Sequence, residues 1–380
     1  MKNLAMFFCF LFFCNLKAFA QDTAENKCSF LEKSNEAREL LKESGVGFRR
    51  ANKKISSVIV SRDILLVVSD KNCQKIKLVR LEVNALSRNR FEFKVITSGY
   101  NVERISGAGI TRLIFKVTDK DTGEELIVWD SRHLHLEKQR TSPRDLFYFP
   151  YSDAFLSQDI IDLGTVNLFE IIAESKAELC ATGAKSKAYP DKLLCEVIPD
   201  LWLATLGAIE QTDDADFFSD NQKAISKFLI HVARNKENAF YYSVSADGAR
   251  GLMQFMNSRR IDTYNDVKRR YPAVKLISDF EKGTADMKNS IKAAICLADL
   301  NLSSLPIRAR DLFLKNPNIG GTFIAAAHNG GAGRARTLWR EFERGTINFS
   351  NFKTTRRVLL KETENFVNKY LVFWKILESR

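Results

Sequence analysis

The chain carries seven cysteines among its 380 residues, yet no Cys-x-x-Cys pair. Thiolate zinc sites and thioredoxin-type redox chemistry therefore have no support. A phosphate cradle is missing too, because "GGAG" at 330–333 lacks the Gly-x-x-x-x-Gly-Lys-Ser/Thr form. There is no Gly-x-Ser-x-Gly nucleophile elbow. Only four histidines occur. His133 and His135 of "HLH" share one face of a strand, but no third ligand lies near them, and surface histidines are the simpler account. Neither a metal nor a cofactor is expected. No recognised nucleic-acid module, internal repeat or low-complexity tract is present, so nucleic acid is not an expected partner.

Long apolar runs are equally scarce. Spanning a bilayer takes about 20 apolar residues, and no transmembrane segment is expected. The opening "MKNLAMFFCFLFFCNLKAFAQDT" has Lys2, an apolar run from Leu4 to Cys14, and Ala18-Phe19-Ala20 before Gln21. That is the layout of a secretory signal at 1–20, cleaved after Ala20, which predicts a periplasmic or secreted protein. The formal charge is +12, or +10 once Lys2 and Lys17 are lost. A basic exported protein suits anionic partners such as cell-wall polymer. Of the cysteines beyond the signal, Cys180 and Cys195 bracket a loop that a disulfide could staple. Cys28 with Cys73 is a second pairing, and Cys296 in "IKAAICLADL" reads as a buried free thiol.

The organisation predicted is α+β and multidomain: a small N-terminal antiparallel β module, a helical middle and a mostly α C-terminal domain. Residues 21–54 are mixed, with a short helix at "EARELLKES". Over 55–140, β-branched and aromatic segments alternate between turns, as in a sandwich or half-barrel, and "DKDTGEE" is a hairpin connection. A proline-bearing boundary, "TSPRDLFYFPYSD", leads to a helical region at 150–212 and a helical domain at 213–380.

One acid stands out. In "AISKFLIHVARNKEN" the residues Leu229, Ala233 and Glu237 fall on one ridge of an amphipathic helix. A carboxyl at the edge of a buried face, at the negative end of a helix dipole, is favoured as a proton donor for glycosidic cleavage. Read alone, Glu237 is equally a solvated residue paired with Lys236 or Arg234. Downstream, "SVSADGARGLMQFM" supplies the Ser245 hydroxyl, a turn at Gly248, a close backbone approach at Gly251, and Gln254 and Met256 toward a cleft.

This stretch resembles the lytic transglycosylase family with the lysozyme-like fold, whose signature runs Glu-Ser-x-Phe, then Ala-Val-Ser-x-x-Gly-Ala-x-Gly-Leu-Met-Gln. Glu237-Asn238-Ala239-Phe240 and Ser243 to Gln254 occupy it, with one residue fewer between Glu237 and Ser245. Three later stretches are similar in the same order. "DMKNSIKAAICLADL" keeps Asp286 and Ile291, with Ser290 and Ala294 in the Asn and Gly places. "AAAHNGGAGRA" keeps Asn329, Gly331, Gly333 and Arg334, with His328 for tyrosine. "LLKETENFVNKYL" keeps Glu362, Thr363 and Val367.

The resemblance covers residues 220–375 and implies a lysozyme-like domain acting on peptidoglycan glycan strands. Glu237 would protonate the glycosidic oxygen between N-acetylmuramic acid and N-acetylglucosamine, then accept the C6 hydroxyl proton as a 1,6-anhydro ring closes. Ser245, Gln254, Met256, His328, Asn329 and Glu362 would hold the glycan. Glu362 can also be read as an exposed acid at a helix start. The alternative is a catalytically impaired peptidoglycan-binding or scaffold protein on the same fold, which His328, Ser290 and the shortened loop after Glu237 suggest. The β module is a candidate to hold an envelope protein partner.

Overall fold

The computed structural model describes residues 30–52, 56–85, 92–106, 113–136, 143–259, 261–349 and 359–380. The signal expected at 1–20 and Cys28 lie outside them. The architecture is α+β, with an antiparallel sheet in the N-terminal half and helices in the C-terminal half.

Helix α1 (Phe30–Glu43) precedes eight strands: β1 (Phe48–Asn52), β2 (Ser56–Ser69), β3 (Lys77–Asn84), β4 (Phe93–Val95), β5 (Tyr100–Ser106), β6 (Ile114–Asp119), β7 (Glu125–Leu136) and β8 (Pro143–Tyr148). The sheet order is β4-β3-β2-β7-β6-β5, with β1 beside β2 and β8 beside β7. The end strands β4 and β5 touch, so the sheet curls into a half-barrel. The hairpin expected at "DKDTGEE" joins β6 to β7: Asp119 Oδ1 accepts the Asp121 and Thr122 amides, and Gly123 takes φ +72°.

Strand β2 carries an unbroken apolar run from Ile64 to Val68. Ile64 to Val68 are all fully buried. Ile64, Leu66 and Val68 face the half-barrel interior with Val79, Leu81, Phe115 and Val117, while Leu65 and Val67 face Ala37 and Leu41 of α1, Trp129 and Phe149. Successive side chains point to opposite faces, and here both faces are covered.

The second of these cores continues into the helices, so the proline-bearing segment before Asp153 does not separate two cores. The join is hydrogen-bonded as well. Tyr148 Oη donates to the Ala239 carbonyl (2.8 Å), the Phe149 amide to Asn235 Oδ1 (2.9 Å), and Asn235 Nδ2 to the Phe149 carbonyl (3.2 Å). Asp130 is fully buried there against Arg38. Burial pushes its carboxyl up, opposed by the guanidiniums of Arg38 and Arg234. Arg234 also lies over the rings of Phe30 and Phe149. His133 is not a surface histidine: it is buried, with Nε2 2.7 Å from Ser131 Oγ.

The helices follow as α2 (Gln158–Ala181), α3 (Asp200–Glu210), α4 (Asp214–Ser219), α5 (Asn221–Asn235), α6 (Thr263–Arg270), α7 (Phe280–Ala285), α8 (Met287–Ser303), α9 (Ile307–Lys315), α10 (Pro317–Gly330), α11 (Ala332–Glu343) and α12 (Lys361–Glu378). At the centre is α3, "DLWLATLGAIE", buried from Trp202 through Ile209. A helix apolar all round has to be enclosed on all sides, and α2, α10 and α12 enclose it. The boundary expected between 212 and 213 therefore falls inside one core.

Cys180 and Cys195 are bonded across the loop after α2 (Cα–Cα 5.3 Å). Cys73 is also disulfide-bonded. Cys296 is a buried free thiol whose burial pushes its ionisation up. The same loop is tied to α8 through Asp299, a fully buried carboxylate that accepts Ser186 Oγ, the Lys187 amide (2.7 Å) and Tyr271 Oη (2.7 Å). Among the described residues, no helix is long and apolar enough to cross a membrane.

Candidate functional site

Two helix ends and one helix start meet around a cleft. Glu210 is the last residue of α3, His328 and Asn329 close α10, and Glu362 opens α12. His328 Nε2 lies 3.0 Å from Glu210 Oε1, with the two side chains 8% and 16% exposed. The imidazole is stacked on Phe366 (centroids 5.9 Å apart, planes 17°). Asn329 Nδ2 donates to Glu362 Oε1 (3.3 Å), and Thr363 Oγ1 donates to Asn329 Oδ1 (2.8 Å). Gly330 is needed for this approach, because a Cβ there would stand 2.8 Å from Thr363 Oγ1.

Glu210, Thr212, Asp214, Asn329, Glu362 and Lys369 supply the polar lining of a cavity of about 170 Å³, with Ile209 and Phe366 as its apolar faces. Lys369 fastens the chain just beyond Glu210: its Nζ donates to the Thr212 carbonyl (2.5 Å) and sits 2.7 Å from Asp214 Oδ1. Partial burial works to raise Asp214, but the hydrogen bonds from Lys369 and Asn365 outweigh it and hold the carboxyl below the ordinary aspartate range. A site of this kind can offer hydrogen bonds to hydroxyl or amide groups in the cleft.

The "SVSADGARGLMQ" stretch acts on this cleft through Gln211. Gln211 Nε2 donates to the carbonyls of Gly251 and Leu252 (2.9 Å each), and its Oε1 accepts Ser243 Oγ (2.9 Å). Gln254, held at φ +46°, donates to Ser243 Oγ (3.2 Å) and the Gly251 carbonyl (2.8 Å). Gly251 has φ +73°, and a Cβ there would lie 1.7 Å from the Thr284 carbonyl oxygen. The stretch thus clamps the residue after Glu210 and with it the end of α3.

Two expected ligands are engaged within their own loops. Ser245 Oγ accepts the Ala249 amide (2.9 Å), and the Met256 amide donates to Thr263 Oγ1 (3.2 Å). Neither Ser245, Gln254 nor Met256 lines the cavity. Of the residues predicted to meet, Asn329 and Glu362 line the cavity, and His328 lies outside its lining against Glu210.

Glu237 does not join them. Helix α5 ends at Asn235, two residues before the acid, and Lys236 adopts φ +48°. The ridge Leu229, Ala233, Glu237 is therefore broken, and Glu237 emerges on a 3-10 turn with its side chain 59% exposed. There its Oε1 lies 3.6 Å from Lys288 Nζ, which is bonded more closely to Glu174 (2.6 Å). This is a solvated charge cluster.

The acid that reaches the cleft, Glu210, also ends an apolar helix in the sequence. No family model, curated protein or solved structure matches the chain.

Proposed function

We propose that the chain is an exported peptidoglycan lytic transglycosylase of lysozyme-like fold, with Glu210 rather than Glu237 as its general acid and base. One observation carries the assignment. Glu210 lies 3.0 Å from His328 at the edge of a cleft whose polar lining includes Asn329 and Glu362, two residues from the motifs that resemble the family.

In this reading Glu210 gives its proton to the glycosidic oxygen as the bond to C1 breaks, and the leaving sugar departs as an alcohol. The carboxylate then takes the proton of the C6 hydroxyl while that oxygen bonds to C1. The product is a 1,6-anhydro sugar and no water is consumed. Asn329 and Glu362 offer a donor and an acceptor to the sugar, and Phe366 with Ile209 offers an apolar face.

The test is digestion of purified murein sacculi with the mature chain, with product ends identified by mass. Anhydro-muropeptides from the wild type and none from Glu210→Gln are expected. Reducing ends would make it a hydrolase. Intact sacculi that retain the protein would make it a binding protein.

A further inference from the structure

We infer that the cleft seats a primary ammonium group carried by its glycan substrate, on a sugar ring or on the attached peptide, with the Glu362 carboxyl as its counter-charge. This deepens the proposed function and takes from it only that the ligand is a peptidoglycan strand.

The donors of the cavity are spent within the protein, and its acceptors are not. Among the described residues, Lys369 is the one basic side chain in the lining, against the acids Glu210, Asp214 and Glu362. Its charge is already met: Nζ sits 2.7 Å from Asp214 Oδ1 and donates to the Thr212 carbonyl. Asn365 Nδ2 donates to the other Asp214 oxygen (2.6 Å), which completes that pair. Glu362 has no such partner. Its Oε1 accepts one long bond from Asn329 Nδ2 (3.3 Å), and no lysine or arginine of the described residues pairs with it.

A second observation is independent of charge. Thr212 lines the same cavity and is only 8% exposed, yet its enclosed Oγ1 has no hydrogen-bond partner. A buried polar atom left unpaired is costly, and a ligand reaching into the cavity can supply the missing bond. The unspent groups, Glu362 Oε2 and Thr212 Oγ1, call for a ligand rich in donors. An ammonium brings three N–H donors and no acceptor. An acetamide brings one N–H, no charge, and a carbonyl for which Lys369 and Asn329 have little left to give. Phe366 in the apolar wall adds the attraction of an aromatic ring for a cation. A metal ion fits less well, because no three His, Cys, Asp or Glu of the described residues are grouped to hold one. An ammonium on Glu362 leaves Glu210 to the proton transfer proposed for it.

The experiment measures binding to the full mature chain by calorimetry, in slightly acidic buffer of low salt, with two pairs of probes. One pair is a glucosamine tetramer and its fully N-acetylated form. The other is a stem peptide, blocked at its N-terminus, with the side-chain amine of its diamino acid free or acetylated. In one pair the free amine should bind about tenfold tighter or more, and the pair that discriminates identifies which amine the cleft takes. The preference should fall below about threefold in Glu362→Gln, which keeps an oxygen for Asn329 Nδ2 and whose folding is checked by thermal melting. It should also shrink for the wild type at high salt, since Glu362 is exposed, and that measurement needs no variant. Equal binding within both pairs overturns the inference. So does a preference left intact by high salt or by a folded Glu362→Gln. Release of anhydro ends from sacculi is scored separately. A chain that releases them without preferring an amine loses this inference alone, and one that prefers the amine but releases none keeps the site and loses the proposed function.

Discussion

The ends of α3 and α5 look alike in sequence and differ in everything that surrounds them. Each helix carries an apolar pattern that runs out at a glutamate, Glu210 in one case and Glu237 in the other. At the end of α3 the chain is gripped from two sides, by Gln211 on the Gly251 and Leu252 carbonyls and by Lys369 on the Thr212 carbonyl. The glutamate just before these grips is mostly covered, with an oxygen 3.0 Å from His328 Nε2. At the end of α5 the helix stops early, Lys236 turns the backbone, and the glutamate stands in solvent beside Lys288. A carboxylate becomes a usable acid through what fixes it, and helical spacing alone does not supply that.

Loosening the first grip should have the largest effect. Gly251→Ala puts a methyl group against the Thr284 carbonyl at a positive φ, and a loss of about 3 kcal/mol or more is expected in chemical denaturation. A variant as stable as wild type would mean that the clamp is not rigid.

A change on α5, at His231, sharpens the contrast through pH. Its ring packs against Tyr148, Tyr151 and Phe240. Burial, helped by the nearby Lys227 charge, pushes its pKa down from 6.5 to about 4. The folded state therefore binds fewer protons than the unfolded state between these values. Stability is complete above 6.5 and is lost as pH falls toward about 4. Because some of the residue reaches solvent, the loss is placed at about 1–3 kcal/mol. Denaturant midpoints measured across that window should fall for wild type and fall less for His231→Phe.

The second grip on α3 is Lys369. Lys369→Met removes a buried ammonium from the Thr212 carbonyl and from Asp214, which keeps Asn365. Half of the Asp214 side chain is exposed, so a cost of about 1–2 kcal/mol is expected. Activity should fall with it. The smallest effect belongs to the end of α5, where Glu237→Gln removes a loose surface pair and should shift stability by less than about 0.5 kcal/mol.

Much of the β half is legible without coordinates. Alternating segments became strands, and Asp119 to Gly123 became the hairpin turn. The Cys180–Cys195 pair followed from a bracketed loop. His133 was misread because its burial depends on β8, whose Leu146 lies opposite it and whose Tyr148 carbonyl accepts the Ser131 hydroxyl beside its ring. The cleft was legible only as separate motifs. Periodicity identifies which residues share a helix face, yet the early stop of α5 depends on one positive φ at Lys236, a residue type that gives no sign of it. The pairing of Glu210 with His328 joins two distant segments through tertiary packing, and no local pattern encodes that contact.

The most direct test sets the two glutamates side by side. Release of muropeptides from sacculi is measured for Glu210→Gln and Glu237→Gln at equal concentration, with folding checked for both. The account predicts a loss of about 100-fold or more for Glu210→Gln and a rate within about twofold of wild type for Glu237→Gln. A Glu210→Gln variant that cleaves normally while Glu237→Gln is inactive would contradict it.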